Sequence, residues 1–166
     1  MTPFFIKGIN KGNQRMKKTL FWAPLLWGAL SAHVLAGDYE WTGGWGMGVT
    51  EYSTSDGNNN ALYIACPDYD DAVSAIATIE GQEYYSDQLA GGAGFDVIVD
   101  GETFSNPFFT DCRVCGANFP AFWQAFRQAN NLYVVADGVQ SKLPTAQLAS
   151  VVAPLDSDEN TCRAAW

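Results

Sequence analysis

Phe95-Asp96-Val97-Ile98-Val99-Asp100-Gly101-Glu102-Thr103-Phe104 is the stretch that decides the fold. Two runs of strand-forming residues flank Asp100-Gly101. An Asp-Gly pair supplies the positive φ angles of a two-residue hairpin turn, so the stretch predicts two short antiparallel strands. Downstream, Pro107-Phe108-Phe109 leads into Cys112-Arg113-Val114-Cys115. The period then changes. Phe119, Phe122, Trp123 and Phe126 recur at helical spacing, with Gln124, Arg127 and Gln128 on the other face. A helix is expected within Asn118–Asn130, capped by Asn118 and ended by Asn130-Asn131. Leu132-Tyr133-Val134-Val135 reads as a strand turning at Asp137-Gly138. Leu143-Pro144-Thr145 is expected to cap a second short helix from Ala146 to about Val152, stopped by Pro154. Asp156 to Asn160 reads as a solvated acidic loop.

Upstream of the hairpin, Trp41 to Trp45 is a glycine-spaced aromatic lead-in. Met47, Val49 and Glu51 alternate with Gly48, Thr50 and Tyr52, which predicts a first strand. Ser55-Asp56-Gly57-Asn58-Asn59-Asn60 has strong turn chemistry. Ala61 to Cys66 reads as a buried strand ended by Pro67. Val73–Ile79 is β-branched and precedes a Glu80-Gly81 turn, so it is read as a strand returning through Gln82–Tyr85. Leu89 to Gly94 is a glycine-rich loop. The expected architecture is mainly β with two short helices (α+β), an antiparallel sheet or sandwich stabilised by disulfides.

The first 36 residues do not belong to that domain. Met16-Lys17-Lys18 opens a basic patch, an apolar run extends from Thr19 to Leu35, and Val34-Leu35-Ala36 closes it with a small residue. These are the three regions of a secretory signal peptide. The run is short for a membrane span of about 20 apolar residues. Met16 reads as the natural start, with Met1–Arg15 as an extension. The absence of a Cys at the cleavage point argues against a lipoprotein. The expectation is an exported domain, 37–166, that is periplasmic or secreted and leaves the membrane once the leader is cut.

Removing the leader sharpens the charge. The chain holds 9 Lys and Arg against 18 Asp and Glu, and five of those cations lie before Gly37. Arg113, Arg127, Lys142 and Arg163 remain against all 18 acids, a net charge of −14. Such a surface repels phosphate backbones and anionic membranes and favours basic partners. The single histidine, His33, lies in the leader. Its loss removes Ser-His-Asp and Cys-His nucleophiles and His-based metal sites from the exported domain.

Cys66, Cys112, Cys115 and Cys162 form an even set in an exported chain, which predicts two disulfides. Of three connectivities, Cys112–Cys115 with Cys66–Cys162 is the expected one. Cys112–Cys115 is also a C-x-x-C, the spacing of thiol oxidoreductases. That chemistry wants the motif at a helix start, and Gly116, Ala117 and Pro120 intervene before the predicted helix. A four-Cys zinc site would need two paired motifs.

Phe95 to Leu155 resembles the bacterial invasion-associated locus B-like exported proteins. The resemblance rests on the Val97–Gly101 hairpin, Pro107-Phe108 with two nearby cysteines, Gly116-Ala117, the Phe122/Phe126 helix and the short helix with Leu148 and Val151. The chain departs from that pattern in its closely spaced cysteines and in its Cys162–Trp166 tail. The resemblance implies an exported, β-rich, non-catalytic protein and carries over no catalytic residue.

Three constellations remain. Tyr39, Trp41, Trp45 and Tyr52 can form an aromatic platform for a sugar or peptide, or pack in the core. Asp68, Asp70 and Asp71, with Asp56 or Asp156, can ligate calcium, but they lack the twelve-residue loop with its terminal Glu, so a solvated acidic turn is preferred. No pair of carboxylates is singled out as a glycosidase site. The sequence thus points to no catalytic residue, no cofactor and no nucleic acid. The expected function is a small protein-binding module of a Gram-negative bacterium. The alternatives are an inhibitor or immunity protein against a cell-wall hydrolase, and a thiol–disulfide protein using Cys112 and Cys115.

Overall fold

A computed structural model describes residues 38–68, 72–86 and 94–164. The leader, Asp70 and Asp71, most of the 89–94 loop and Trp166 lie outside the described residues. Among the described residues, nine strands form two antiparallel sheets. The first is a meander in the order β1-β2-β3-β4-β5: β1 (Thr42–Gly46), β2 (Val49–Ser55), β3 (Ala61–Pro67), β4 (Ser74–Ile79) and β5 (Gln82–Tyr85). The second has the order β7-β6-β8-β9: β6 (Asp96–Val99), β7 (Glu102–Phe104), β8 (Leu132–Ala136) and β9 (Val139–Leu143). Helix α1 (Phe119–Arg127) lies in the chain between β7 and β8, and α2 (Leu148–Val151) is a single turn after β9.

The turns explain the register. Met47-Gly48, Glu80-Gly81, Asp100-Gly101 and Asp137-Gly138 each place two consecutive residues at positive φ. Two-residue turns of this kind match the twist of the strands they join, and glycine at the second position meets no steric penalty. The first of these corrects the sequence reading. Met47 is not in a strand with Val49 and Glu51. It sits at φ 54° in the turn, and Trp45 belongs to a separate strand, β1, that pairs with β2.

Each sheet buries one face, as period-2 alternation requires. Tyr52, Leu62, Ile64 and Ala77 of the first sheet and Val97, Leu132, Val134 and Leu143 of the second are buried. Helix α1 packs against both inner faces. Trp123 meets Tyr52 of the first sheet at 6.2 Å between ring centroids, and Phe122 meets Phe104 of the second at 5.2 Å. Phe119, Phe122, Trp123 and Phe126 are all buried. Fully burying one such side chain stabilises by about 1.5–3 kcal/mol.

The helix boundaries differ from expectation. Asn118 makes no side-chain cap. A 3-10 turn over Cys115–Asn118 runs directly into α1, and the Phe119 N–H already bonds the Gly116 carbonyl. Asn118 itself has helical backbone angles (φ −93°, ψ −3°) rather than the extended ones of a capping residue, and Pro120 in the first turn offers no N–H to cap. Thr145 does not cap α2 through its side chain either. Its carbonyl accepts the Leu148 N–H at 3.2 Å, and Gln147, at φ 63°, stands before the single helical turn. Arg127 takes over at the other end, donating to the Val152 and Ala149 carbonyls. Charge at a helix carboxyl end is favourable there.

Asp100 clasps the central hairpin to the start of β8. Its carboxylate accepts the Asn131 N–H at 2.7 Å and the Asn130 N–H at 3.1 Å. The Asn130 amide and then the Asn131 amide hold its pKa below the ordinary 3.8. A depressed folded-state value gives stability that is fully present above 3.8 and lost as pH falls on through the lower folded-state value. Asp100→Asn is therefore expected to lower the urea midpoint modestly near pH 6 and by less near pH 3, where loss of that contribution has begun. Equal losses at both pH values would show that the charge contributes nothing.

Candidate functional site

Both expected disulfides are present. Cys66–Cys162 joins β3 to the carboxyl-terminal segment across a sequence separation of 96. Cys112–Cys115 closes the loop before α1. Among the described residues there is no free cysteine.

The four aromatics of the lead-in do not come together. Trp41 is 1% exposed. Its ring packs edge-on against Phe126 at 5.3 Å, and its indole N–H donates to the Pro144 carbonyl at 2.9 Å. Tyr52 is 3% exposed and belongs to the core, where burial is the main cause that pushes its pKa up. Tyr39 is 61% exposed, but its N–H bonds Ser55 at the far end of the β1–β2 pair from Trp45. Trp45 alone remains a candidate for recognition, at 68% exposure.

Trp45 is placed by its neighbours. It pairs with Thr50, and Gly43 with Tyr52, so these four side-chain positions lie on the sheet face that elsewhere forms the core. Glycines at 43, 44 and 46 leave the tryptophan without flanking side chains on its own strand. Gly43 is also a close approach, because a Cβ there would lie 3.0 Å from Val151 Cγ1. Helix α2 thus closes one end of a shallow trough whose open end reaches Trp45.

That trough is an open groove of about 530 Å³ lined by Trp45, Thr50, Asp68, Asp158, Glu159 and Thr161, with Tyr52 at its base. The indole N–H of Trp45 donates to Asp68 Oδ2 at 2.8 Å. Asp68 Oδ1 is shielded from solvent and has no hydrogen-bond partner among the described residues. A shielded carboxylate oxygen of this kind is an acceptor awaiting a donor. Met47, at the tip of the same hairpin, is fully exposed. The arrangement is an aromatic and methionine edge beside three carboxylates. It suits a cationic side chain, which stacks on the indole while its charge faces the acids.

A second cavity, about 360 Å³, lies between α1 and Pro154–Asp156. Its one cation, Arg127, is already committed to backbone carbonyls. The calcium reading gains nothing from the described residues. Asp56 is occupied within its own loop, accepting from the Asn58 and Asn60 N–H groups and the Asn60 side chain. No three His, Cys, Asp or Glu side chains cluster to hold a metal among the described residues. No helix among them is long and apolar enough to cross a membrane.

Sequence reasoning found Trp45 but not the groove. Asp158 and Glu159 reach it from the far end of the chain, and no local pattern announces that convergence.

Fold and groove define a disulfide-stabilised, β-rich domain with an acidic, tryptophan-edged surface trough. A family model described as YfjT matches residues 39–152, well over half of the chain. The chain belongs to the YfjT family. No curated protein and no solved structure matches it.

Proposed function

We propose that this protein is an exported protein-binding module of a Gram-negative bacterium, periplasmic or secreted, that acts without catalysis by seating a basic segment of another protein in the Trp45 groove. The observation that carries the reading is Trp45 itself, exposed on a glycine-flanked edge strand and held by Asp68. Large aromatic and methionine side chains are what protein interfaces enrich, and a tryptophan there commonly dominates the binding energy. The net charge of −14 on residues 37–166 supports a basic partner through long-range attraction. The leader pattern and the resemblance of 95–155 to exported invasion-associated locus B-like proteins support export. A cell-wall hydrolase with a basic cleft is the partner for which binding would also inhibit.

The test is capture from periplasmic extract on the immobilised chain, with Trp45→Ala and Asp158→Lys as variants. The partner is expected to be retained at low salt and released as ionic strength rises towards about 0.3 M. Trp45→Ala should weaken its affinity about 30-fold or more, with an unchanged circular dichroism spectrum. A Trp45→Ala chain that binds as tightly as the unaltered one would move the interface elsewhere.

A further inference from the structure

The two disulfides differ in the property that governs exchange. Cys66 and Cys162 are buried, so attack on their bond requires unfolding. Cys112 is exposed and Cys115 half-buried, with Arg113 and Val114 exposed between them. A cavity of about 440 Å³ beside Cys115, bordered by Phe104, Pro107 and Phe119, leaves the approach to the second sulfur open as well.

The local backbone distinguishes the two sulfurs. The Cys115 N–H donates to Cys112 Sγ at 3.1 Å, and the Gly116 N–H donates to the Cys112 carbonyl at 2.9 Å. As expected, Gly116 and Ala117 lie between the motif and α1, whereas Pro120 stands inside the first turn of the helix. The 3-10 turn begins at Cys115 and passes into α1 without a break. The Cys115 amide and the greater exposure of Cys112 distinguish the two sulfurs. An N–H aimed at sulfur bonds a thiolate more strongly than a disulfide sulfur, so it favours departure of Cys112 from a mixed disulfide, while the greater exposure of Cys112 makes it the sulfur an incoming thiolate reaches first.

We propose that Cys112–Cys115 is an exchange-active disulfide that accepts an electron pair from an accessible dithiol on another protein. In the first step a substrate thiolate attacks Cys112 Sγ. A bond forms between substrate sulfur and Cys112, the Cys112–Cys115 bond breaks, and Cys115 leaves as a thiolate. In the second step the other substrate thiolate attacks the first substrate sulfur. The substrate disulfide forms, the mixed disulfide breaks, and Cys112 leaves as a thiolate that accepts the Cys115 N–H. The two protons of the substrate thiols pass through solvent to Cys112 and Cys115. The substrate is oxidised by two electrons and the protein disulfide is reduced to a dithiol. The activity is independent of the Trp45 groove.

The test uses the oxidised full chain and an excess of a reduced synthetic peptide carrying one Cys-x-x-Cys dithiol. A disulfide-closed hexapeptide of residues 111–116 serves as the unstructured reference. Alkylation and mass spectrometry follow each bond with time. Cys112–Cys115 is expected to open at least ~10-fold faster than the same bond in the hexapeptide, with Cys66–Cys162 intact and the synthetic dithiol oxidised in step. With a peptide carrying a single Cys, acid quenching during the reaction of the oxidised chain should trap a mixed disulfide on Cys112, with Cys115 released as a thiol. Opening no faster than the hexapeptide, or opening only together with Cys66–Cys162, overturns the proposal, and neither readout depends on a variant that folds. A mixed disulfide trapped on Cys115 instead overturns the assignment of Cys112 as the attacked sulfur.

Discussion

Replacing Cys66 and Cys162 together by alanine is expected to lower the unfolding free energy by about 4–5 kcal/mol, the chain-entropy value for a loop of this length. The bond spans a separation of 96 residues, whereas Cys112–Cys115 spans 3. The same relation gives the short pair only about 1.5 kcal/mol. Total stabilities of 5–15 kcal/mol make the first loss a large fraction of the whole and the second a minor one. The packing around Cys162 supports the larger figure. Thr161 Oγ1 donates to the Cys66 carbonyl at 2.8 Å, the Cys162 N–H donates to Asn160 Oδ1 at 2.7 Å, and the Val73 N–H donates to the Arg163 carbonyl at 3.0 Å. Without the disulfide, these bonds are expected to be the main restraint left on the tail. The tail also carries Asp158, Glu159 and Thr161, one wall of the groove. The double variant should therefore lose affinity for a basic partner before it unfolds. Urea unfolding of the full chain, of Cys66→Ala/Cys162→Ala and of Cys112→Ala/Cys115→Ala separates the cases. Equal losses from the two pairs would refute the loop-length argument.

The same contrast shows how much of the molecule was legible in the chain. Hairpins announced themselves where turn chemistry and strand pattern agreed. Asp100-Gly101, Asp137-Gly138 and Glu80-Gly81 pair a residue tolerant of its place with a glycine that adopts positive φ freely. Met47-Gly48 uses the same geometry, but methionine gives no turn signal and its neighbours alternate like a strand. The first hairpin was therefore read as one strand. The helix was legible from Phe119, Phe122, Trp123 and Phe126 because 3.6-residue periodicity is local. Its start was not, because a 3-10 turn over Cys115–Asn118 leads straight into it and leaves Asn118 with helical rather than capping backbone angles. Trp41 and Trp45 show the deeper limit. Both are tryptophans in a glycine-rich stretch, yet one meets Phe126 and Pro144 and the other meets water and Asp68. What lies opposite each strand position is decided by residues a hundred places away. Hydrophobicity at the position itself carries no record of that.

Phe126→Ala tests whether the aromatic layer between the sheets is the mechanical centre of the fold. Phe126 is fully buried, with ring centroids of Trp41, Phe122, Trp123 and Phe108 at 5.3, 5.5, 5.8 and 6.2 Å. Truncating a buried phenylalanine costs about 3–5 kcal/mol, and the value within that range depends on how far the surroundings relax into the void. Relaxation is restricted here. Trp41 is pinned by its indole N–H to Pro144, and Trp123 is pinned by its own to Ala153 at 3.0 Å. Movement of either ring into the cavity would leave a buried donor unsatisfied, which costs about 1–3 kcal/mol by itself. The expected loss is therefore at the upper end, about 4–5 kcal/mol. Phe126→Leu, which refills most of the volume, should lose about 1.5 kcal/mol or less. A Phe126→Ala loss below about 2 kcal/mol would mean that the layer collapses and that the two indole hydrogen bonds do not anchor it. The consequence reaches the surface, because Trp41 immediately precedes β1 and Trp123 packs against Tyr52 at the base of the groove. A core that yields at Phe126 would release the strand that presents Trp45.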